Sequence, residues 1–385
     1  MKTMHTALCA GTLVLTATVT AQAESLVQRY LNGDPEVTMS TQLDYDGPTV
    51  RIRYSTLAPG AGVSGEFFGA LFGRLEADTG GKIVIDPYYS SSLADTQAGG
   101  FESVRSGLTD IGTCYMQFNP SGFDLQFGIQ LPGVIPQADA GLFVYNEAYA
   151  EYFKENYELR EVYLAHLGLG APNKIYSKEP LASLADFQGQ RAWANGDVAS
   201  RTLEALGMEP TNVNMSDFYP AFQTGVFDVA PFHDLGAVVF RLPDIADYRT
   251  DVNLWGNPNE NCMNMDFWDG LDPAVQTYLY HWFQVWGMAY TQALMVEGGD
   301  RVRENVLAEQ GINFIELSDE DQAEVDAVLT GLVDEWAAER DADGEPGSEL
   351  IAMMRERYEI YNALSPDERF QKVLDAPVPG LINGF

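Results

Sequence analysis

Apolar residues recur along the chain with two different periods. Residues 50–55, VRIRYS, alternate apolar and polar, as a strand with one buried face does. Phe67, Leu71 and Leu75 then recur at helical spacing, and the run stops at Gly80-Gly81. Residues 82–88 predict a second strand, residues 97–105 a helix followed by Gly107, and residues 110–115 a third strand. Strand, helix, strand, helix, strand opens an α/β fold with a mainly parallel sheet. The theme returns in the middle of the chain. Residues 162–169, 190–194 and 226–230 predict strands, while residues 199–206 and 217–224 predict helices closed by Gly207 and Gly225. Beyond that the pattern is helical. Val275, Tyr278, Leu279, Trp282, Phe283 and Trp286 form one apolar stripe. Ser318 caps a second helix, whose stripe runs from Val325 to Trp336, and a third helix covers residues 349–364. Residues 24–47 and 365–385 show no clear period and predict tails. The second tail is a candidate surface for a homodimer.

The first residues have a different logic. Lys2 and His5 precede an apolar run over residues 7–19, and Ala21-Gln22-Ala23 follows. This is the form of a secretory signal over residues 1–23, which places the mature chain in the periplasm. The run is too short for a membrane span, so no membrane insertion is expected once it is cleaved.

Composition narrows the function. The 385 residues are 46% hydrophobic, enough for a folded core of about two domains. Lys and Arg number 22 against 56 Asp and Glu, a net charge of −34, which excludes a nucleic-acid partner. Cys9 leaves with the signal. Cys114 and Cys262 remain without C-x-x-C spacing, and an oxidising compartment leaves a bridge between them open. His166, His233 and His281 are far apart and form no H-E-x-x-H motif, so no metal and no cofactor is expected. Asp341-Ala342-Asp343-Gly344-Glu345 has the letters of a calcium loop but fails its twelve-residue pattern. Neither G-x-S-x-G nor a Walker motif occurs. Gly60, Gly62 and Gly65 do spell G-x-G-x-x-G between a strand and a helix, with Asp86 ending the next strand. Thr56-Leu57-Ala58-Pro59 intervenes where a dinucleotide fingerprint needs a tight turn. A secreted α/β enzyme, a hydrolase or a dinucleotide-dependent one, is therefore the competing class.

Several segments resemble the solute receptors of tripartite ATP-independent periplasmic (TRAP) transporters. Thr79-Gly80-Gly81-Lys82-Ile83, Gly107 with Asp110-Ile111-Gly112, and Ser183-Leu184-Ala185-Asp186-Phe187-Gln188-Gly189 are similar to motifs of that family. So are Leu206-Gly207-Met208-Glu209-Pro210-Thr211 and the run from Ser216 to Asp228. They fall in family order over residues 48–335. The resemblance implies an α/β, two-lobed periplasmic solute-binding protein with discontinuous domains around a central cleft. It places lobe I at residues 48–170 and 258–300, and lobe II at residues 171–257 and 301–364. It implies no catalysis, one small-molecule ligand held by lobe closure, and membrane subunits as partners.

Departures from the family bear on the ligand. Most such receptors hold a carboxylate with an Arg fork. Trp193 stands at that Arg's position, Asn173 at a second family Arg, and Phe232 at a family Asn. Tyr115 and Phe118 follow the third strand, where the family places ligand contacts, and Met215 is a further candidate. Aromatic faces attract cations by about 0.5–2 kcal/mol each. With Asp234 or Glu66 as counter-charge, the site suits a small amine such as ethanolamine or a quaternary ammonium compound. The alternative is an organic acid, anchored by Arg191, or a compatible solute such as ectoine.

Overall fold

The computed structural model describes residues 24–95, 99–118 and 121–385; the predicted secretory signal lies outside them. In chain order the strands are β1 (Val50–Ser55), β2 (Ile83–Tyr88), β3 (Ile111–Thr113), β4 (Val162–Gly170), β5 (Lys174–Ser177), β6 (Arg191–Ala194), β7 (Glu209–Asn212), β8 (Val229–Phe232), β9 (Tyr248–Thr250), β10 (Asn257–Asn264) and β11 (Asn313–Ile315). They form two sheets, in the orders β2-β1-β3-β10-β4 and β11-β9-β5-β8-β6-β7. In the first, β1 is parallel to β2 and β3, as the opening pattern predicts. The sheet is nonetheless mixed, because β10 returns from the other lobe and runs antiparallel between β3 and β4.

Each sheet is the heart of one lobe. The chain leaves the first lobe between β4 and β5 and returns between β9 and β10. It leaves again along the helix Pro273–Ala289, which continues through π-helical turns at Tyr290–Val296 and Val302–Leu307. The last of these turns packs on the helix Asp234–Val239 of the second lobe. The helix Asp319–Ala342 reaches both lobes. Its Glu339 pairs with Arg201 of the second lobe at 2.8 Å, while its Trp336 ring abuts Gly128 on the first. The predicted apolar stripes are core. Trp286 meets Tyr54 and Phe72 edge-on, with centroids 4.9 and 5.1 Å apart.

Neither end of the described chain is a tail. The helix Leu26–Leu31 buries Val27 and Tyr30, and the Leu26 amide donates to Asp367 at 2.9 Å. Buried Arg74 donates to the carbonyls of Tyr30 and Val37 at 3.0 and 2.8 Å. The helix Pro366–Asp375, entered through a capping box at Ser365, packs on both Leu26–Leu31 and Pro273–Ala289. Past it, the Phe385 ring stacks on Tyr280 at 5.1 Å. The apolar groups of residues 365–385, read from sequence as a homodimer surface, pack on the chain's own first lobe. The helix Gly347–Asn362 also belongs there. It packs on Ala138–Ala148, with Phe143 and Tyr361 stacked at 4.5 Å, so lobe II does not extend to residue 364. Short segments with few apolar residues carry too weak a period to show such docking.

Cys114 and Cys262 are bridged, with Cα atoms 5.7 Å apart, tying the end of β3 to β10. The bridge closes a loop spanning 148 positions. Removing it by the paired change Cys114→Ala and Cys262→Ala should lower the unfolding free energy by roughly 2–5 kcal/mol. Urea titration of the two forms measures this, and equal midpoints would refute it.

Candidate ligand cleft

Loops at the carboxyl ends of parallel strands tend to meet in a crevice. Here the loop after β1 supplies Leu57, and the segment after β3 supplies Tyr115, Gln117 and Phe118. From the other lobe come Trp193 and Asn195 at the end of β6, and Phe232 and His233 at the end of β8. The two connections between lobes add Asn173, Asn257 and Asn259. These residues, with Met215, enclose a cavity of about 300 Å³. A neighbouring cavity of about 300 Å³ shares Gln117, Phe118, Trp193, Asn195 and Met215 with it and extends the same cleft.

The aromatic wall is held in place by its own ring contacts. Trp193 and Phe232 stack with centroids 5.1 Å apart and planes 7° apart. Phe218 meets both edge-on, at 5.0 and 5.1 Å. Trp193 Nε1 donates to the Val213 carbonyl at 2.9 Å, which fixes the indole. Each stacked ring therefore has at most one face for a ligand. Across the cleft, Tyr115 and Phe118 stack at 6.0 Å. Burial pushes the Tyr115 hydroxyl well above its ordinary pKa, so it stays a neutral donor.

The polar groups are uncharged. Asn173 and Asn257 exchange side-chain amide bonds at 3.1 and 3.3 Å. His233 Nδ1 accepts from the Gly236 amide at 3.2 Å and so caps the helix Asp234–Val239. Burial pushes its pKa down to about 4, so at pH 7 the ring is neutral with Nε2–H as a donor. Gln117 Oε1 is buried without a hydrogen-bond partner. Among the described residues, no Asp, Glu, Lys or Arg lines either cavity.

Three predicted charges are engaged elsewhere. Arg191 sits at the entry end of β6 and pairs with Asp228 at 2.6 Å, although it shares Trp193's face of the strand. Asp234 accepts from Arg249 Nε and Nη2 at 2.7 and 3.0 Å and from the Tyr176 hydroxyl at 2.6 Å. Glu66 is exposed on the helix Gly62–Asp78 and does not line the cleft. The structure does bring together Trp193, Phe232, Tyr115, Phe118, Met215 and Asn173. Sequence reasoning missed Gln117, Asn195, His233 and Asn259. The asparagines of the returning strand were the available signal, since two of them, Asn257 and Asn259, reach the cleft. Asn264 instead caps the helix Met265–Asp269.

The remaining motifs have structural uses. A Cβ on Gly65 would lie 2.4 Å from the Gly60 carbonyl oxygen, and one on Gly60 would meet the Tyr89 ring. Close packing thus accounts for these two glycines. Asp341 accepts from the Ser348 amide at 3.0 Å and belongs to a turn between helices. Among the described residues, no group of three or more His, Cys, Asp or Glu is placed to hold a metal, and no helix is long and apolar enough to cross a membrane. A separate cavity of about 510 Å³ contains Lys174, Arg249, Arg303 and Arg369, each paired with an Asp.

Two lobes on mixed sheets, joined by several crossings around a cleft, are the architecture of solute-binding receptors. The chain belongs to the bacterial extracellular solute-binding proteins, family 7, whose family model matches residues 61–340. It is 26% identical over 177 residues to the C4-dicarboxylate-binding periplasmic protein of Rhodobacter capsulatus, which is 46% of this chain and 51% of that one. The match thus spans about half the length of that curated relative. A marine metagenome TRAP solute-binding protein specific for aromatic acids, in complex with metahydroxyphenylacetate, superimposes with a TM-score of 0.73 at 21% identity, covering 81% of this chain and 99% of that one. A Rhodoferax ferrireducens TRAP protein with copurified benzoate gives 0.74 at 14% identity, covering 82% and 99%. At these identities the likeness is one of fold.

Glu260 lies in β10 beside the cleft residue Asn259 and is fully buried. Its Oε1 accepts from the Tyr145 hydroxyl at 2.5 Å, and its Oε2 has no partner. Burial raises its pKa from 4.5 to about 7. The folded state therefore holds this proton more tightly than the unfolded state. Its stabilising effect is complete below pH 4.5 and is lost as pH rises to about 7, a change of about 3 kcal/mol. Glu260→Gln should abolish that part of the pH dependence, and parallel denaturation curves at several pH values measure it. Asp234→Asn should leave buried Arg249 with only its longer contact to Asp251, at 3.5 Å, and cost roughly 3–5 kcal/mol, without altering which ligands bind. A changed ligand preference in a folded Asp234→Asn protein would return Asp234 to the site.

Proposed function

We propose that this chain is the periplasmic receptor of a TRAP transporter, closing on a small organic acid and handing it to the membrane subunits for uptake. The observation that carries the ligand class is the lining of the cleft: aromatic rings and neutral amides, with no ionised side chain among the described residues. A flat ring fits against Trp193, Phe232 and Phe118. Its carboxylate fits the N–H groups of Asn195, Gln117 and His233, where a hydrogen bond to a charged group contributes about 1.5–3 kcal/mol. The organic acids bound by the structural neighbours support the same class.

The amine reading gives way to this alternative. A buried charge of either sign needs compensating groups; the cleft offers N–H donors to an anion and, among the described residues, holds no carboxylate for a cation. Asp234 is committed to Arg249, and Glu66 is exposed on its helix. A cyclic zwitterion such as ectoine is the second reading, favoured by the uncharged lining because such a ligand brings no net charge. Without an Arg fork, affinity should depend only weakly on salt.

A thermal-shift screen of the mature protein tests the proposal, with benzoate, mandelate, pyroglutamate, ectoine and ethanolamine at fixed salt and pH. An acid present at 100 times its Kd should stabilise the fold by about 2.7 kcal/mol, and Trp193→Ala should abolish the shift. Stabilisation by ethanolamine alone would overturn the ligand class.

A further inference from the structure

Behind Tyr115 lies a second, much smaller chamber of about 20 Å³ inside the first lobe. Tyr54, Tyr115, His166, Asn261, Trp286 and Tyr290 are among its lining residues. Tyr115 lines the ligand cleft as well, so one side chain is shared by the two spaces.

Three of these residues carry buried polar atoms with no hydrogen-bond partner. They are both ring nitrogens of His166, Oδ1 of Asn261 and Nε1 of Trp286. His166 is 2% exposed and Asn261 4%. A buried group left unpaired is costly, and native proteins rarely gather several in one place. The backbone adds an independent sign. His166 pairs with Asn261 across β4 and β10, but Leu164 pairs with the next residue, Cys262, so Ala165 is skipped in a β-bulge. Bulges of this kind re-aim a side chain beside a site.

The chemistry of the orphan atoms selects their partner. An indole N–H only donates, an amide oxygen only accepts, and a neutral imidazole does one of each. Burial pushes the His166 pKa down to about 3, so its ring is neutral. An occupant must therefore accept from Trp286 and donate to Asn261. An ammonium or metal ion cannot accept, and a halide cannot donate. Water does both, and the chamber has room for one molecule.

We infer that His166, Asn261 and Trp286 hold one ordered water molecule in this chamber, linking β4, β10 and the helix Pro273–Ala289 behind the wall of the ligand cleft. Nothing in this inference depends on which solute the cleft takes.

Atomic-resolution diffraction from the mature protein tests it. A single density peak is expected at about 2.7–3.2 Å from Asn261 Oδ1 and a His166 nitrogen. A chamber without density, or an anomalous signal there after a rubidium soak, would overturn the inference. A double-mutant cycle with Asn261→Leu and His166→Phe gives a second reading. Both single changes should lower Tm, and the pair should lower it by less than the sum, because the shared water is already lost after the first. Strict additivity in folded variants counts against a shared water. If a variant does not fold, the density in the unmodified protein decides.

Discussion

The two connections between β4 and β5 and between β9 and β10 lie side by side, and the cleft depends on their being held together. The Asn173 amide donates to the Trp255 carbonyl at 3.1 Å, and the Leu254 amide donates back to the Asn173 carbonyl at 3.0 Å. Asn257 Nδ2 reaches the Ala171 carbonyl at 2.9 Å, and the Asn173–Asn257 amide pair completes the link. Strands joined in this way resist sliding past one another while still allowing rotation, which is the geometry of a hinge. The cleft floor is made from the same asparagines. Any solute touching Asn257 therefore touches a connection between the lobes.

Charge is distributed to match. Acids outnumber bases by more than two to one, and many of the described cations pair with them. Arg249 with Asp234 and Arg369 with Asp139 are buried pairs that join separate elements. Pairs buried so deeply are weak contributors to net stability, but breaking one strands its partner. The cleft instead uses dipoles and ring faces. Neutral contacts of that kind are only slightly affected by the negative potential of the rest of the surface, which salt screens over about 10 Å.

The α/β elements were legible because their apolar periods are clear, and the two-lobed arrangement followed from the family resemblance of the motifs. The stripe from Val275 to Trp286 is buried, and the Trp193–Phe232 pair sits at the strand ends where motif order placed it. The charged candidates were not legible. Arg191 finds Asp228 37 positions away, and Asp234 finds Arg249 15 positions away, through strand pairing that no local pattern encodes. Asn173 matches a family position, yet its amide is taken by Asn257 across 84 positions. The two ends failed for a related reason. Leu26–Leu31 and Pro366–Asp375 are each marginal as isolated helices and become stable against each other.

That last pairing has a consequence for how the molecule is made. The second lobe is inserted within the first, whose outer layer needs both the earliest and the latest described helices. Ser40 donates to the carbonyl of Leu374, a contact across nearly the whole chain. A polypeptide emerging from its N-terminus completes the inserted lobe's sheet only with β11, and the first lobe stays incomplete until the helix Pro366–Asp375 appears. The order of synthesis therefore opposes premature closure of the fold and keeps much of the chain threadable until its end is free.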